Sequence, residues 1–258
     1  MVELSGYSLL SIFLVSSIVI LFASEIGRRI GVRRAARGGD HIATLESAIL
    51  SLLALMIGFT FAMALSRFEG RRDAVLNEAN AIGTTALRAR LLPAPHNAQA
   101  LKLREYVQIR LDITRRVPSA AELNDAIARS NAVQEALWGQ ALAAAAKDAG
   151  MVPTGIFIQT LNEMIDNQEK RLTAGRNRVP NIVLLALYGI AIVAGAFTGY
   201  GSGLEKGRSR LPVYLTGILV SSVILLIQDL DRPNTGFITV SQQPMLDAAA
   251  GIAAYADR

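Results

Sequence analysis

Two clusters of charged side chains are the strongest candidates for chemistry in this chain of 258 residues. The first follows an apolar run and mixes both signs of charge: Arg67, Glu69, Arg71, Arg72 and Asp73. The second, QDLDRPNTGF, contains Asp229 and Asp231 and follows another apolar run. These groups predict one of two roles. They form ion pairs that fix the C-terminal tail, or they build a charged vestibule that concentrates ions at a pore mouth. Glu78 and Asn80 would lie farther along such a path.

The residue types give little support to catalysis or to metal and cofactor binding. The chain has no cysteine, which excludes disulfides, thiolate nucleophiles and cysteine metal ligands. Its two histidines, His41 and His96, are far apart, and neither has a second ligand at metal-binding spacing. No serine, histidine and carboxylate set predicts a nucleophile. We therefore expect no enzymatic activity, no metal and no cofactor.

The apolar residues, 52% of the chain, are concentrated in four runs. Each run is close to the roughly 17–25 residues that cross the hydrocarbon of a bilayer as a helix, and charge is confined to the ends. The runs are 7–26, 47–65, 182–200 and 211–227. They predict a multi-pass protein of the cell inner membrane whose first partner is the lipid bilayer.

Between the second and third runs lie about 115 polar residues whose apolar positions recur with helical spacing. Prolines divide this insert, and Ser119 with Glu122 matches a capping box at a helix start. We therefore predict an all-α integral membrane protein, with two spans on either side of an antiparallel helical bundle. The predicted divisions are 1–66 (two spans and an Arg-rich connecting loop), 67–180 (bundle), 181–228 (two spans) and 229–258 (tail).

Orientation depends on the basic residues. The loops 27–42 and 201–210 contain five and three basic residues, and retaining them inside the cell would place the bundle outside. Arginines on the bundle side oppose this assignment. The Arg-rich loop can also contact anionic lipid. Nucleic-acid binding is not expected, because the loop is short and lacks aromatic residues for base stacking.

Small residues recur at three- and four-residue steps within the spans, which lets helices approach closely. The second span has Ser47, Ser51, Ala54, Gly58 and Ala62 on one face, and the third has Ala191, Gly195, Gly199 and Gly203. Two interpretations stay open: packing within one subunit, or a face that borders an oligomer contact or a pore.

Three segments carry a resemblance to a known family: RFEGRRDAVLNEANAIGTTALRARLLP (67–93), REYVQIRLD (104–112) and DLDRPNTGFITVSQQP (229–244). Together they resemble the bacterial bestrophin-like proteins, a family catalogued as a domain of unknown function. The resemblance covers nearly the whole chain. It implies similarity to pentameric anion channels in which the second membrane helix lines the pore, and it transfers no catalytic residue.

The leading hypothesis is therefore a homo-oligomeric membrane protein that conducts inorganic ions, with chloride-like anions expected. Its second span would line the path, and Arg67, Arg71 and Arg72 would shape the field at the mouth. The alternative is a non-conducting membrane sensor or scaffold whose bundle binds a partner.

Overall fold

The computed structural model describes residues 7–35, 42–92, 94, 99–115, 119–147, 152–205, 209–233 and 235–256. Within these ranges the regular structure is entirely α-helical. The helices are α1 (Leu9–Ala35), α2 (Ala43–Ala89), α3 (Gln99–Arg115), α4 (Ala120–Ala145), α5 (Val152–Arg176), α6 (Asn181–Leu204), α7 (Leu211–Asp231) and α8 (Gln243–Ala256). The predicted all-α fold, with two membrane helices on either side of a helical bundle, is confirmed.

In the described part of the chain, four helical stretches are long and apolar enough to cross a membrane: α1, α2, the α6 part of Val152–Leu204, and α7. The predicted Arg-rich loop starting at residue 27 is wrong, because α1 continues to Ala35 and carries four of its five arginines. Two effects favour this extension. Arg29 Nε lies 3.0 Å from Glu25 Oε1 one turn earlier. Basic residues in a last helical turn also complement the helix dipole. The fifth arginine, Arg37, lies outside the described residues.

The chain folds into two compact units. The first contains Met1–Phe68, Arg178–Arg232 and Gly236–Ile238, and the second contains Glu69–Asn177, Pro233–Thr235 and Thr239–Arg258. Helix α2 supplies residues to both units, since it continues without interruption past Phe68.

In the first unit α1 and α6 approach each other closely because glycines line both sides of their contact. A side-chain carbon added at Gly27 would overlap the Ala196 carbonyl of α6. In the other direction, a carbon at Gly199 or Gly203 would overlap the main chain of α1, at Ser24 and Arg28 respectively. Such contacts bring two backbones together in the way that small-residue motifs allow in membranes. Ala191 and Gly195 continue the same row on α6, and Ala191 is buried.

In the second unit α2, α3, α4, α5 and α8 share one apolar core. Its fully buried side chains include Ile82, Leu103, Leu137, Phe157 and Leu161. The predicted capping box of α4 is confirmed, with the Ser119 hydroxyl accepting from the Glu122 N–H and the Glu122 carboxylate accepting from the Ser119 N–H. Met245 and Ile252 of α8 are also buried in this core, so the predicted tail includes a helix that belongs to the bundle.

We expect Gly199→Ala to destabilise the protein by about 1–3 kcal/mol, because the new methyl group forces α1 and α6 apart. The matched control is Gly189→Ala in the same helix, where an added carbon meets nothing within 4 Å. Thermal unfolding of the purified protein in detergent measures both effects. Equal midpoints for the two variants would contradict the close approach.

Candidate functional site

The small-residue face of α2, formed by Ser47, Ser51, Ala54, Gly58 and Ala62, is exposed along its whole length. A side-chain carbon added at Gly58 would meet nothing within 4 Å. The buried side of the same helix carries Leu53, Thr60 and Ala64, so the other described helices of the first unit pack there. None of the residues that the structure describes therefore covers this face.

This face is only weakly polar. Its Ser51 hydroxyl donates to the Ser47 carbonyl oxygen of the preceding turn at 2.8 Å, so the hydroxyl proton is already engaged. A surface of this kind holds no fixed charge and leaves room beside the backbone. Both properties suit a narrow path for ions, and both equally suit close contact with another helix.

The structure separates the three arginines that the sequence grouped together. Arg72 is exposed. It lies ten residues after Ala62, and steps of three and four residues connect it to the small-residue face of α2. Arg71 has only 5% of its surface exposed, and Arg67 is partly buried. Glu69, one turn before Arg72, is exposed as well. Of the arginines predicted to shape a pore mouth, Arg72 is the one that points to solvent.

Asp229 and Asp231 are buried and accept backbone N–H groups. Asp229 Oδ1 accepts from Phe237 at 2.8 Å, and Oδ2 accepts from Ile238 at 3.0 Å. Asp231 Oδ1 accepts from the Val179 N–H at 2.8 Å. Asp229 thus holds the segment that follows α7 against the end of that helix. We also predict from the sequence that Asp229 and Asp231 form ion pairs with Arg67 or Arg71, and this stays a prediction.

The second unit contains a fully buried carboxylate, Glu78, approached by two arginines. Arg110 Nε lies 2.7 Å from Glu78 Oε1, which makes an ion pair whose geometry is not that of a hydrogen bond. Arg110 Nη2 donates to Glu78 Oε2 at 3.4 Å. Arg171 Nη1 donates to Glu78 Oε2 at 2.7 Å, while its Nη2 donates to Gln242 Oε1 at 2.9 Å. Glu78 therefore connects α2, α3 and α5. The expectation that it lines an ion path is wrong, because none of its surface is exposed.

Uncharged groups complete this cluster. The Tyr106 hydroxyl lies 3.0 Å from Glu78 Oε1 and 2.8 Å from Gln168 Oε1, so its one proton can be donated to either oxygen. Gln134 Nε2 donates to Gln168 Oε1 at 3.2 Å, and Gln168 Nε2 donates to Asn131 Oδ1 at 2.8 Å. Burial raises the pKa of the Tyr106 phenol well above its ordinary value, and the neighbouring Glu78 carboxylate raises that pKa further.

Sequence reasoning missed this cluster, although a signal was present. Glu78 falls on the apolar side of α2, next to Val75, Ala79 and Ile82, where an exposed carboxylate is not expected. Among the residues that the structure describes, no group of three His, Asp or Glu side chains could hold a metal ion. His41 and His96 lie outside those residues.

Comparisons with known proteins agree with this architecture. A family profile described as Bestrophin-like domain matches residues 12–245. A single-residue variant of a bacterial bestrophin homologue from Klebsiella pneumoniae superimposes with a TM-score of 0.72 at 16% identity, covering 98% of this chain and 99% of that one. A second crystal structure of that homologue gives a TM-score of 0.70 at 17% identity, covering 96% and 98%. No curated protein matches the chain.

We expect Glu78→Gln to destabilise the protein by about 3–5 kcal/mol, because it leaves two buried guanidinium groups without their carboxylate. Glu135→Gln is the matched control on α4, where Glu135 is exposed. Urea unfolding followed by circular dichroism measures the difference. A loss below about 1 kcal/mol for Glu78→Gln would show that the cluster is not under this electrostatic constraint.

Proposed function

The chain belongs to the bestrophin-like family, and on that premise we propose that it is a homo-oligomeric ion channel selective for anions. We further propose that it works in the cell inner membrane, with α2 helices from several copies surrounding the path. Membership of this family supports ion transport as the activity, with no catalysed reaction. The residues of this chain supply a specific hypothesis for the path.

The single observation that supports this assignment best is the uncovered small-residue face of α2. A scaffold that keeps this face for packing inside one subunit would bury it against α6 or α7. Instead, α6 packs closely against α1, through Gly199 and Gly203. A ring of copies would give the α2 face a role, since Ser47, Ser51 and Gly58 would border a shared axis.

Liposome flux tests the proposal directly. Purified protein is reconstituted, and chloride efflux is compared with potassium efflux, beside empty liposomes. Selective chloride flux is the expected result. A well-folded oligomer that passes neither ion over a range of pH and voltage would overturn the channel and favour the non-conducting sensor or scaffold.

The absence of cysteine makes the path itself testable. We expect Ser51→Cys and Ala62→Cys to react with a charged thiol reagent and to lose most of the flux, because a modified side chain would fill a narrow conduit. Leu215→Cys is the matched control, since Leu215 is exposed on a different membrane helix, α7. Flux that falls equally in all three variants, or in none, would remove α2 from the path.

Arg72 and Glu69 carry opposite charges at the proposed pore mouth, so neutralising each should change ion selectivity in opposite directions. Both are exposed and lie one turn apart on the α2 face that continues from Ala62. We expect Arg72→Gln to lower the chloride-to-potassium permeability ratio about two- to fivefold, and Glu69→Gln to raise it by a similar factor. Reversal potentials at low ionic strength measure both. Changes of the same sign, or no change, would remove these charges from the conduction path.

A further inference from the structure

We propose that the helical bundle contains an internal binding site for one small monovalent anion between Arg110 of α3 and Ser130 of α4. The inference concerns the second unit alone and does not rest on the channel proposal. It starts from two buried side chains whose hydrogen-bonding groups have no partner among the described residues: Arg110 Nη1 and Ser130 Oγ.

Both groups are deeply buried, with 2% of the surface of Arg110 and none of Ser130 exposed. An unpaired donor in such a place costs about 1–3 kcal/mol, and more when it carries charge. The buried hydroxyls of Thr85 and Ser221 avoid this cost within their own helices, because each donates to the carbonyl one turn earlier. The Ser130 hydroxyl makes no such bond, so it remains available to an external acceptor.

The helix register brings the two groups together. A connection of four residues joins α3 to α4, and the two helices pack against each other, so they are antiparallel. Gln134 Nε2 of α4 lies 3.4 Å from the Tyr106 hydroxyl of α3. One turn forward on α3 leads to Arg110, and one turn back on α4 leads to Ser130. The register therefore places Arg110 and Ser130 opposite each other on the two helices.

The charge of the neighbourhood favours an anion over a water molecule. Two guanidinium groups, of Arg110 and Arg171, share the single carboxylate of Glu78 inside the bundle. One positive charge is thus in excess at this carboxylate. The Arg171 side chain keeps 13% of its surface exposed, whereas Arg110 keeps only 3%, so it is Arg110 that gains most from a counter-ion. A halide accepts from several N–H and O–H donors and balances this excess. A water molecule could accept the same bonds, but it would leave the charge uncompensated.

The test uses the full-length protein in detergent, with sodium bromide replacing sodium gluconate at constant ionic strength. Bromide that binds only the folded protein stabilises it. At bromide concentrations above the dissociation constant, each tenfold increase raises the thermal midpoint by about 3 °C. We expect that dependence in the unaltered protein, and its loss in Ser130→Ala. Ser221→Ala is the matched control, a buried serine of the first unit whose hydroxyl bonds within α7, and it should keep the dependence.

Anomalous scattering from crystals grown in bromide gives an independent readout that needs no variant. The expected result is a bromide peak within hydrogen-bond distance of both Arg110 Nη1 and Ser130 Oγ. Ordered density there without an anomalous signal identifies a water molecule and overturns the proposal. A bromide dependence that survives in Ser130→Ala overturns it too, since the responsible site would then lie elsewhere. None of these readouts depends on ion flux, so the channel proposal can fail while the anion site stands.

Discussion

The bundle is organised around a carboxylate that has no contact with solvent. Glu78 can be buried only if positive charge and hydrogen-bond donors reach it, because an isolated carboxylate is far more stable in water. Arg110 and Arg171 meet this requirement from α3 and α5, which fixes the rotation and register of both helices relative to α2. Through Gln242, Arg171 also ties the segment before α8 to the same point. Apolar packing stabilises the bundle, and the cluster adds a further requirement, because any helix arrangement that leaves this buried carboxylate unpaired is strongly destabilised.

The membrane unit is governed by a different constraint. Helices in lipid gain little from hiding apolar surface from each other, so close contact between backbones contributes more to their association. In α1 and α6 the glycines provide it, with the main chains of Gly27 and Gly199 lying against the partner helix. Helix α2 keeps its own small residues, among them Gly58, out of this packing. One row of small residues thus packs two helices of the subunit together, and the other is exposed in the single chain.

Much of the fold could be predicted from the sequence, for reasons that particular residues illustrate. The four apolar runs are long enough to require membrane helices. Ser119 and Glu122 stand at capping-box spacing because each satisfies a free N–H of the other. Helix α8 was missed, although Met245 and Ile252 have helical spacing, because a short alanine-rich segment gives only a weak signal. Sequence reasoning also missed the continuation of α1 to Ala35, because arginines after an apolar run indicate a loop. In the structure Gly31, between Arg29 and Arg33, packs on α6 and keeps this segment helical.

The sequence by itself determined the residue types, their helical periodicity and the division into apolar and polar segments. It could not determine which face of each helix is covered, because lipid-facing and packed faces in a membrane are equally apolar. Only the tertiary structure decided that Arg72 is exposed while its neighbour Arg71 is buried. It also decided that Asp229 holds backbone N–H groups, and that Glu78 lies inside the bundle. The physical reason is the same each time: adjacent residues on a helix point about 100° apart, and long-range packing determines which direction meets protein and which meets solvent.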